Sequence, residues 1–118
     1  MKETSAPDRF TPRQCAMVLK AMADETRLRL LESLLVKEKC VTELVQELNC
    51  PQPHASHHLR ILRDAGLVKG LREGKQVCYC IAPGVRRALT RRRGKALDFG
   101  CCEVRFPESV LLAISPGS

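Results

Sequence analysis

Apolar residues recur at helical spacing through the first part of the chain. One helix face over about 25 to 36 is expected to be apolar and to consist of Leu28, Leu31, Leu34 and Leu35. An earlier helix is predicted from about 12 to 22, because Thr11 can cap it and Gln14 can complete a capping box. Asp24 separates the two helices and is the expected cap of the second.

Two shorter helical segments follow, joined by the tight connection NCPQP. Thr42 is the expected cap of the first, ELVQEL, and Asn49 is its expected left-handed end. The second is predicted from Pro53 to about Ala65, with Gly66 just beyond its end. Its buried face should comprise Ala55, His58, Leu59 and Leu62. Its outer face is polar and basic and should carry Ser56, His57, Arg60 and Arg63.

A hairpin and a last helix complete the predicted order of elements. LVKGL, the turn REGK and QVCYCIA are typical of a hairpin whose second strand points Val77, Tyr79 and Ile81 inward and leaves Cys78 and Cys80 on the other face. GVRRALTRRRGKAL is predicted to be a helix that breaks near Gly94. We expect a mainly α chain with a small β-hairpin wing, forming one domain over 1–118. Its core should span about 11–97, with a thiol-bearing tail over about 98–118.

Length and charge narrow the choice of partner and compartment. With 118 residues, 44% of them hydrophobic, the chain can close one small core. It has no apolar leader and no apolar run of membrane length, so we expect a cytoplasmic protein with no membrane partner. A formal net charge of +7 suggests a polyanionic partner, with nucleic acid the leading candidate. Seven cysteines in a reducing compartment favour metal or redox chemistry over structural bridges.

The short helix, tight turn, basic helix and hairpin together match a winged helix-turn-helix that binds double-stranded DNA. The second helix of such a motif enters the major groove, which is about 12 Å wide. The DNA-contacting residues expected on this helix are Gln52, His54, Ser56, His57, Arg60 and Arg63. Arg72 and Lys75 at the hairpin tip should lie over phosphates or the minor groove. His58, on the buried stripe, is expected to be a satisfied core histidine instead.

Three stretches of sequence resemble the ArsR/SmtB family of winged-helix repressors, over roughly residues 15–97. They are LKAMADETRLRLLESLL, the Q-P-x-x-S-x-H-L run from Gln52 to Leu59, and L-R-x-A-G-L-V ending at Val68. The resemblance implies a homodimer built through the first and last helices. It also implies a repressor that binds an imperfect palindrome and leaves the DNA when an inducer binds.

The family senses ions at several places, and the cysteines can be compared with each of them. A C-V-C site is incomplete here, because the segment reads Cys40-Val41-Thr42. A zinc site with histidine on the last helix is excluded, since no histidine follows His58. The adjacent pair Cys101 and Cys102 remains, together with Cys15 in the first helix.

Three thiolates favour soft ions, so we expect As(III), Sb(III) or Hg(II) as inducer and no permanent cofactor. Gly100 would allow the neighbouring thiols of Cys101 and Cys102 to turn toward one ion. This hypothesis describes a metal-binding repressor of the arsenic-response type.

Other interpretations of the thiols stay open. Cys15 on its own is more typical of a small buried hydrophobic residue. Cys78 and Cys80 could chelate an ion, and Cys50-Pro51 resembles a short motif of some heme-responsive proteins. Reversible disulfides among Cys15, Cys101 and Cys102 would make a redox-responsive repressor. A thiol oxidoreductase is the least favoured alternative, because the chain has no C-x-x-C, cofactor loop or nucleophile–base pairing, and we expect no enzymatic activity.

Overall fold

Four helices form the first part of the protein. The computed structural model describes residues 10–89, 95–100 and 102–106. The helices are α1 (Pro12–Met22), α2 (Glu25–Val36), α3 (Val41–Leu48) and α4 (Gln52–Asp64). Their positions confirm the predicted helices to within about two residues. All four pack around one core, in which leucine side chains of α2, α3 and α4 are almost completely buried.

Local capping explains why these helices begin and end where they do. Thr11 and Gln14 form the predicted capping box, with reciprocal bonds of 3.2 and 2.8 Å between side chain and backbone. The carboxylate of Asp24 accepts a hydrogen bond from the backbone N–H of Arg27 at 3.1 Å. Asn49 ends α3 in the left-handed conformation, with φ of 53°.

The predicted cap of α3 is wrong by two positions. The helix begins at Val41, and Thr42 lies inside its first turn. Cys40 occupies the cap position, and its backbone N–H donates to the Glu43 carboxylate at 2.9 Å. The helix starts earlier than expected because the two residues before it form a strand.

That strand belongs to a three-stranded antiparallel sheet that contains the wing. The sheet consists of β1 (Lys39–Cys40), β2 (Val68–Glu73) and β3 (Gln76–Ile81), in the order β1-β3-β2. The β2–β3 hairpin was predicted and β1 was not. Because β1 pairs with the far side of β3, Cys40 lies directly opposite Cys78.

The predicted last helix is wrong. Its place is taken by a second antiparallel sheet of β4 (Arg86–Leu89), β5 (Lys95–Asp98) and β6 (Glu103–Phe106), while residues 90–94 lie outside the described residues. Arg86 pairs with Asp98 and Leu89 with Lys95. The dimer contact was expected to involve a last helix, but residues 86–89 and 95–98 are strands, so they cannot provide it in that form.

Tertiary burial explains the second sheet. Ala96, Leu97 and Phe99 are each 0% exposed. A surface helix buries only one stripe, at every third or fourth residue, so three buried residues within four positions do not fit it. The backbone N–H of Phe10 donates to the carbonyl of Phe99 at 3.1 Å, and their rings lie 5.7 Å apart. Phe106 of β6 also belongs to the main core. Backbone pairing satisfies the polar groups of a segment that is held against the core in this way.

The buried face of α1 differs in part from the apolar stripe expected from helical spacing, which consists of Cys15, Leu19, Met22 and Ala23. The buried residues are Cys15, Val18, Ala21 and Met22. Met17 and Leu19 are instead 50% and 48% exposed, which leaves apolar surface on the outer side of the helix.

Candidate nucleic-acid interface and thiol clusters

The outer face of α4 carries the side chains that were predicted to contact DNA. Ala55, Leu59 and Leu62 are each 0% exposed and fix which side of the helix faces the core. The opposite side exposes Gln52, His54, His57, Arg60 and Arg63, with Ser56 half-buried. The helix therefore presents polar and cationic groups to the solvent along most of its length.

The wing places a further cation beside the start of α4. A groove of about 190 Å³ separates the two, and it is lined by Gln52 and Ser56 from the helix and by Lys75 from the wing. Arg72 and Lys75 are exposed at the tight turn between β2 and β3. Thus three of the predicted DNA-contacting residues border one concave surface.

Two other polar residues line this groove and were missed by the sequence analysis. They are Thr42 in the first turn of α3 and Gln76 at the start of β3. Nothing in their local sequence indicates the groove, because their position depends on how α3 and the wing pack against α4. Both side chains can donate or accept hydrogen bonds at the same surface.

Arg63 makes an ion pair with its neighbour on α4. Its guanidinium lies 3.2 Å from the Asp64 carboxylate, and both side chains are largely exposed. Exposed pairs of this kind contribute about 0–1 kcal/mol, so Arg63 can exchange this partner for a phosphate at little cost.

His58 links α4 to α2 and is bonded as predicted, but it is half-buried rather than in the core. Its Nδ1 lies 3.2 Å from a guanidinium nitrogen of Arg27 and 4.0 Å from the Asp24 carboxylate. Arginine can only donate, so Nδ1 accepts and the ring is neutral with its proton on Nε2. Burial lowers the pKa of His58, and the Arg27 charge adds to the effect, while Asp24 opposes it.

This environment predicts a pH-dependent stability. The unfolded chain binds the His58 proton near its ordinary pKa of 6.5, whereas the folded chain binds it only at lower pH. The free energy of unfolding should therefore be highest above pH 6.5 and fall as the pH drops below that value. Urea unfolding between pH 5 and 8 measures this slope, and His58→Gln should reduce it. His54→Gln, on the exposed face of the same helix, is the matched control and should reduce the slope much less, because the His54 charge is the smallest of the causes that shift the pKa of His58.

The segment that carries Cys102 lies beside the entrance to α1. Phe99, whose carbonyl accepts from Phe10, also donates its own N–H to the carbonyl of Cys102 at 3.0 Å. The Cys15 sulfur is 3.9 Å from the carbonyl oxygen of Phe10, is buried and is part of a disulfide. Cys102 is half-buried against the core. Cys101 lies outside the described residues.

Gly100 follows β5 and adopts a backbone conformation that favours glycine. Gly100 adopts φ of 86°, a conformation that glycine reaches without strain. Its N–H donates to the Asp98 carboxylate at 2.8 Å. The expectation that Gly100 lets the thiols after it turn toward one ion stays a prediction.

A second group of thiols was not anticipated. Cys40 and Cys78 are joined by a disulfide between β1 and β3. The Glu73 carboxylate lies 3.7 Å from the Cys78 sulfur. Within the described part of the chain, these three residues form the one group of at least three Cys, His, Asp or Glu side chains close enough to hold a metal ion together.

The thiols of Cys50 and Cys80 are free and half-buried. Cys80 lies on β3, two positions beyond Cys78, but Cys78 is 1% exposed and faces Cys40. An ion held by Cys78 and Cys80 would therefore have to compete for the Cys78 sulfur with Cys40, which lies directly opposite on β1.

None of the helices in the described residues has the length and apolar character needed to cross a lipid bilayer.

Comparison with known proteins places this site in a family. The family model "Bacterial regulatory protein, arsR family" matches residues 24–69. The "HTH-type transcriptional repressor SmtB" of Mycobacterium tuberculosis is 43% identical over 65 residues, which cover 55% of this chain and 48% of that protein. This chain thus spans about half the length of that relative.

Similarity to a second relative and to a solved structure extends further. The "Probable mercury resistance operon repressor" of Streptomyces lividans is 37% identical over 103 residues, covering 81% of this chain and 80% of that protein. The solved domain of Mb0332 from Mycobacterium bovis, described as a homodimeric winged helix-turn-helix DNA-binding domain, aligns with a TM-score of 0.58 and 36% identity. That alignment covers 59% of this chain and 65% of the solved chain. The chain therefore belongs to the arsR family of bacterial regulatory proteins, which are transcription regulators and not enzymes.

Proposed function

We propose that this protein is a homodimeric repressor that binds double-stranded DNA at an imperfect palindrome. The observation that carries the proposal is the exposed cationic face of α4, which shares a groove with the wing cation Lys75. In this arrangement α4 enters the major groove, and the wing lies over the flanking backbone. Gln52, Ser56 and Arg60 are the candidates for base contacts, because they project from the side of the helix that faces away from the core.

A second copy of the chain is needed to read a palindrome. Two recognition helices must lie about 34 Å apart to fit successive major grooves. The exposed apolar residues Met17 and Leu19 on α1 offer a surface for the second copy. The homodimeric Mb0332 domain supports this assembly.

The proposed inducer is a soft ion, As(III), Sb(III) or Hg(II), held by Cys15, Cys101 and Cys102. The backbone bonds through Phe10 and Phe99 bring the segment of Cys102 to the start of the helix that carries Cys15. In the reduced protein, in which the disulfide of Cys15 is opened, thiolates without nitrogen or oxygen ligands suit these ions. The name of the Streptomyces lividans relative, which aligns with most of this chain, supports mercury within this group.

The required coupling between ion and DNA is modest. An ion that displaces the start of α1 would change the packing of α1 against α4, since the two helices are in contact. Each tenfold loss of DNA affinity needs about 1.4 kcal/mol of differential ion binding to the two conformations. A small change in the spacing of the two recognition helices is enough to supply it.

Arg60→Ala tests the DNA interface. The homodimer loses one bidentate base contact from each subunit, at about 1–3 kcal/mol each, so affinity for the operator should fall at least about thirtyfold. Fluorescence anisotropy with promoter fragments measures this change. Arg105→Ala is the control, because Arg105 is an exposed cation on β6 that pairs with Glu103. Equal losses for the two variants would show only a general charge effect and would contradict the assigned interface.

Serine substitutions test the inducer site. Cys15→Ser, Cys101→Ser and Cys102→Ser should each weaken the release of DNA by arsenite, antimonite or mercuric ion, measured under reducing conditions with cadmium, lead and zinc in parallel. Cys50→Ser and Cys80→Ser are the controls and should respond normally. An unchanged response in all three site variants would refute the assignment.

A redox-responsive repressor is the second candidate, because the Cys15 sulfur is disulfide-bonded. In this case peroxide would release the DNA in the presence of a chelator, and a reductant would restore binding.

A further inference from the structure

We propose that Cys40 and Cys78 form a reversible dithiol–disulfide site that reacts with a hydroperoxide. The two residues are direct partners across antiparallel strands β1 and β3, and their sulfur atoms are bonded to each other. Neighbouring cross-strand side chains on one face lie within reach of one another without any rearrangement of the backbone. The site is separate from the proposed inducer site, which lies at the entrance to α1.

The two sulfur atoms have different surroundings, which assigns them different roles. Cys40 is half-buried and caps α3, where the partial positive charge of the helix end stabilises a thiolate. Cys78 is 1% exposed and lies behind it. An oxidant therefore reaches Cys40 first, and Cys78 is the resolving thiol.

The carboxylate of Glu73 can accept a proton from Cys78 when the disulfide forms. Its carboxylate lies 3.7 Å from the Cys78 sulfur and is exposed to solvent. In the dithiol form the carboxylate can accept the Cys78 proton and pass it on. Glu73 is thus positioned to increase the nucleophilicity of Cys78 as the disulfide forms.

The chemistry balances with one hydroperoxide as the two-electron oxidant. The Cys40 thiolate attacks the peroxide oxygen, giving a sulfenic acid on Cys40 and an alkoxide or hydroxide that takes up a proton. The Cys78 sulfur then attacks the Cys40 sulfur, its proton passes through Glu73 to the departing hydroxide, and the sulfenic oxygen leaves as water. Two thiols are oxidised, the peroxide bond is reduced, and a thiol reductant reverses the change.

The bond closes a ring around the part of the fold that carries the predicted DNA contacts. Cys40 and Cys78 are 38 residues apart, and the ring between them contains α3, α4 and β2. Closing a loop of this length restricts the unfolded chain, so the melting temperature of the oxidised protein should exceed that of the reduced protein by on the order of 10 °C. The modification itself does not depend on DNA binding.

Peptide mapping tests the site directly. Tryptic cleavage would place Cys40 and Cys50 in the peptide 40–60, and Cys78 and Cys80 in the peptide 76–86. The experiment therefore uses full-length Cys50→Ser/Cys80→Ser protein, reduced, freed of reductant and treated with one equivalent of hydrogen peroxide in the presence of a chelator. We expect a linked pair of these two peptides, two mass units lighter than their sum, which a thiol reductant separates.

Single variants separate the roles and make the proposal falsifiable. Cys78→Ser should let the Cys40 sulfenic acid accumulate, as shown by a dimedone adduct, and Glu73→Gln should slow formation of the link several-fold. The gain in melting temperature on oxidation should persist in Cys50→Ser/Cys80→Ser and become smaller in Cys78→Ser, where the disulfide of Cys15 can still form. Absence of the linked peptide would overturn the proposal. Cadmium binding to Cys40 and Cys78 without peroxide-driven linkage would also overturn it and would assign the group to a metal.

Discussion

The affinity of the dimer for its operator should fall about 10⁴-fold when the salt concentration rises from 50 to 200 mM. Each subunit exposes four cations near the predicted DNA surface, Arg60, Arg63, Arg72 and Lys75. Two subunits would then neutralise about eight phosphates and release their counterions, so the logarithm of affinity should fall with the logarithm of salt at a slope of about −7.

Anisotropy titrations across this salt range measure the slope. Lys75→Ala removes one phosphate contact from each subunit and should make the slope shallower by about 2, with nearly equal losses on all DNA sequences. Arg105→Ala should leave it unchanged. An affinity that does not depend on salt would contradict the interface, because the proposed complex gains much of its free energy from the phosphates.

Leu59→Ala should have the largest effect on stability. Leu59 is 0% exposed and belongs to the main core, whereas the adjacent Arg60 is exposed. Truncation of a buried leucine costs about 2–5 kcal/mol, against a total stability of about 5–15 kcal/mol for a domain of this kind. The variant should unfold at a much lower urea concentration and lose DNA binding as its folded fraction falls.

Arg60→Ala, at the next position on the same helix, should lower DNA affinity and leave stability nearly unchanged. Its free energy of unfolding should change by no more than about 0.5 kcal/mol, while its DNA affinity falls. Urea titration and anisotropy on the two variants separate folding from recognition. A loss of less than about 1 kcal/mol in Leu59→Ala would mean that the α4 face has been assigned incorrectly.

The helices could be predicted because their signals are local. Thr11 and Gln14 form a capping box within one turn, Asp24 bonds to a backbone group three residues away, and Asn49 adopts the left-handed conformation itself. The apolar face of α4 follows from spacing alone. The outer face of that helix, and with it most of the candidate DNA surface, could therefore be inferred from the order of residues along the chain.

The strands outside the wing could not be predicted, because their causes are distant in sequence. β1 contains only Lys39 and Cys40 and exists through pairing with β3. Lys39 is 6% exposed, and its ammonium group bonds to Ser33 of α2 and Glu47 of α3 at 2.7 Å each. The strand partner of Lys39, however, is Tyr79 on β3, which no short window of sequence around Lys39 contains.

The same limit applies to the second sheet and to the thiols. The spacing of Val85, Ala88 and Leu89 fits a helix, but the burial of Phe99 against Phe10 favours strands in the segment before it. The juxtaposition of Cys40 with Cys78 likewise depends on β1, so two cysteines that looked unrelated became neighbours.

The hydrogen bond between Phe10 and Phe99 has a mechanical consequence. It joins the peptide before α1 to the peptide after β5, so a displacement of one of them should move the other, and α1 with it. A displacement near Cys102 would therefore shift the C-terminal end of α1, where Arg27 of α2 bonds to both the Ala21 carbonyl and His58. A displacement at one edge of the molecule would thus reach His58, in the middle of α4.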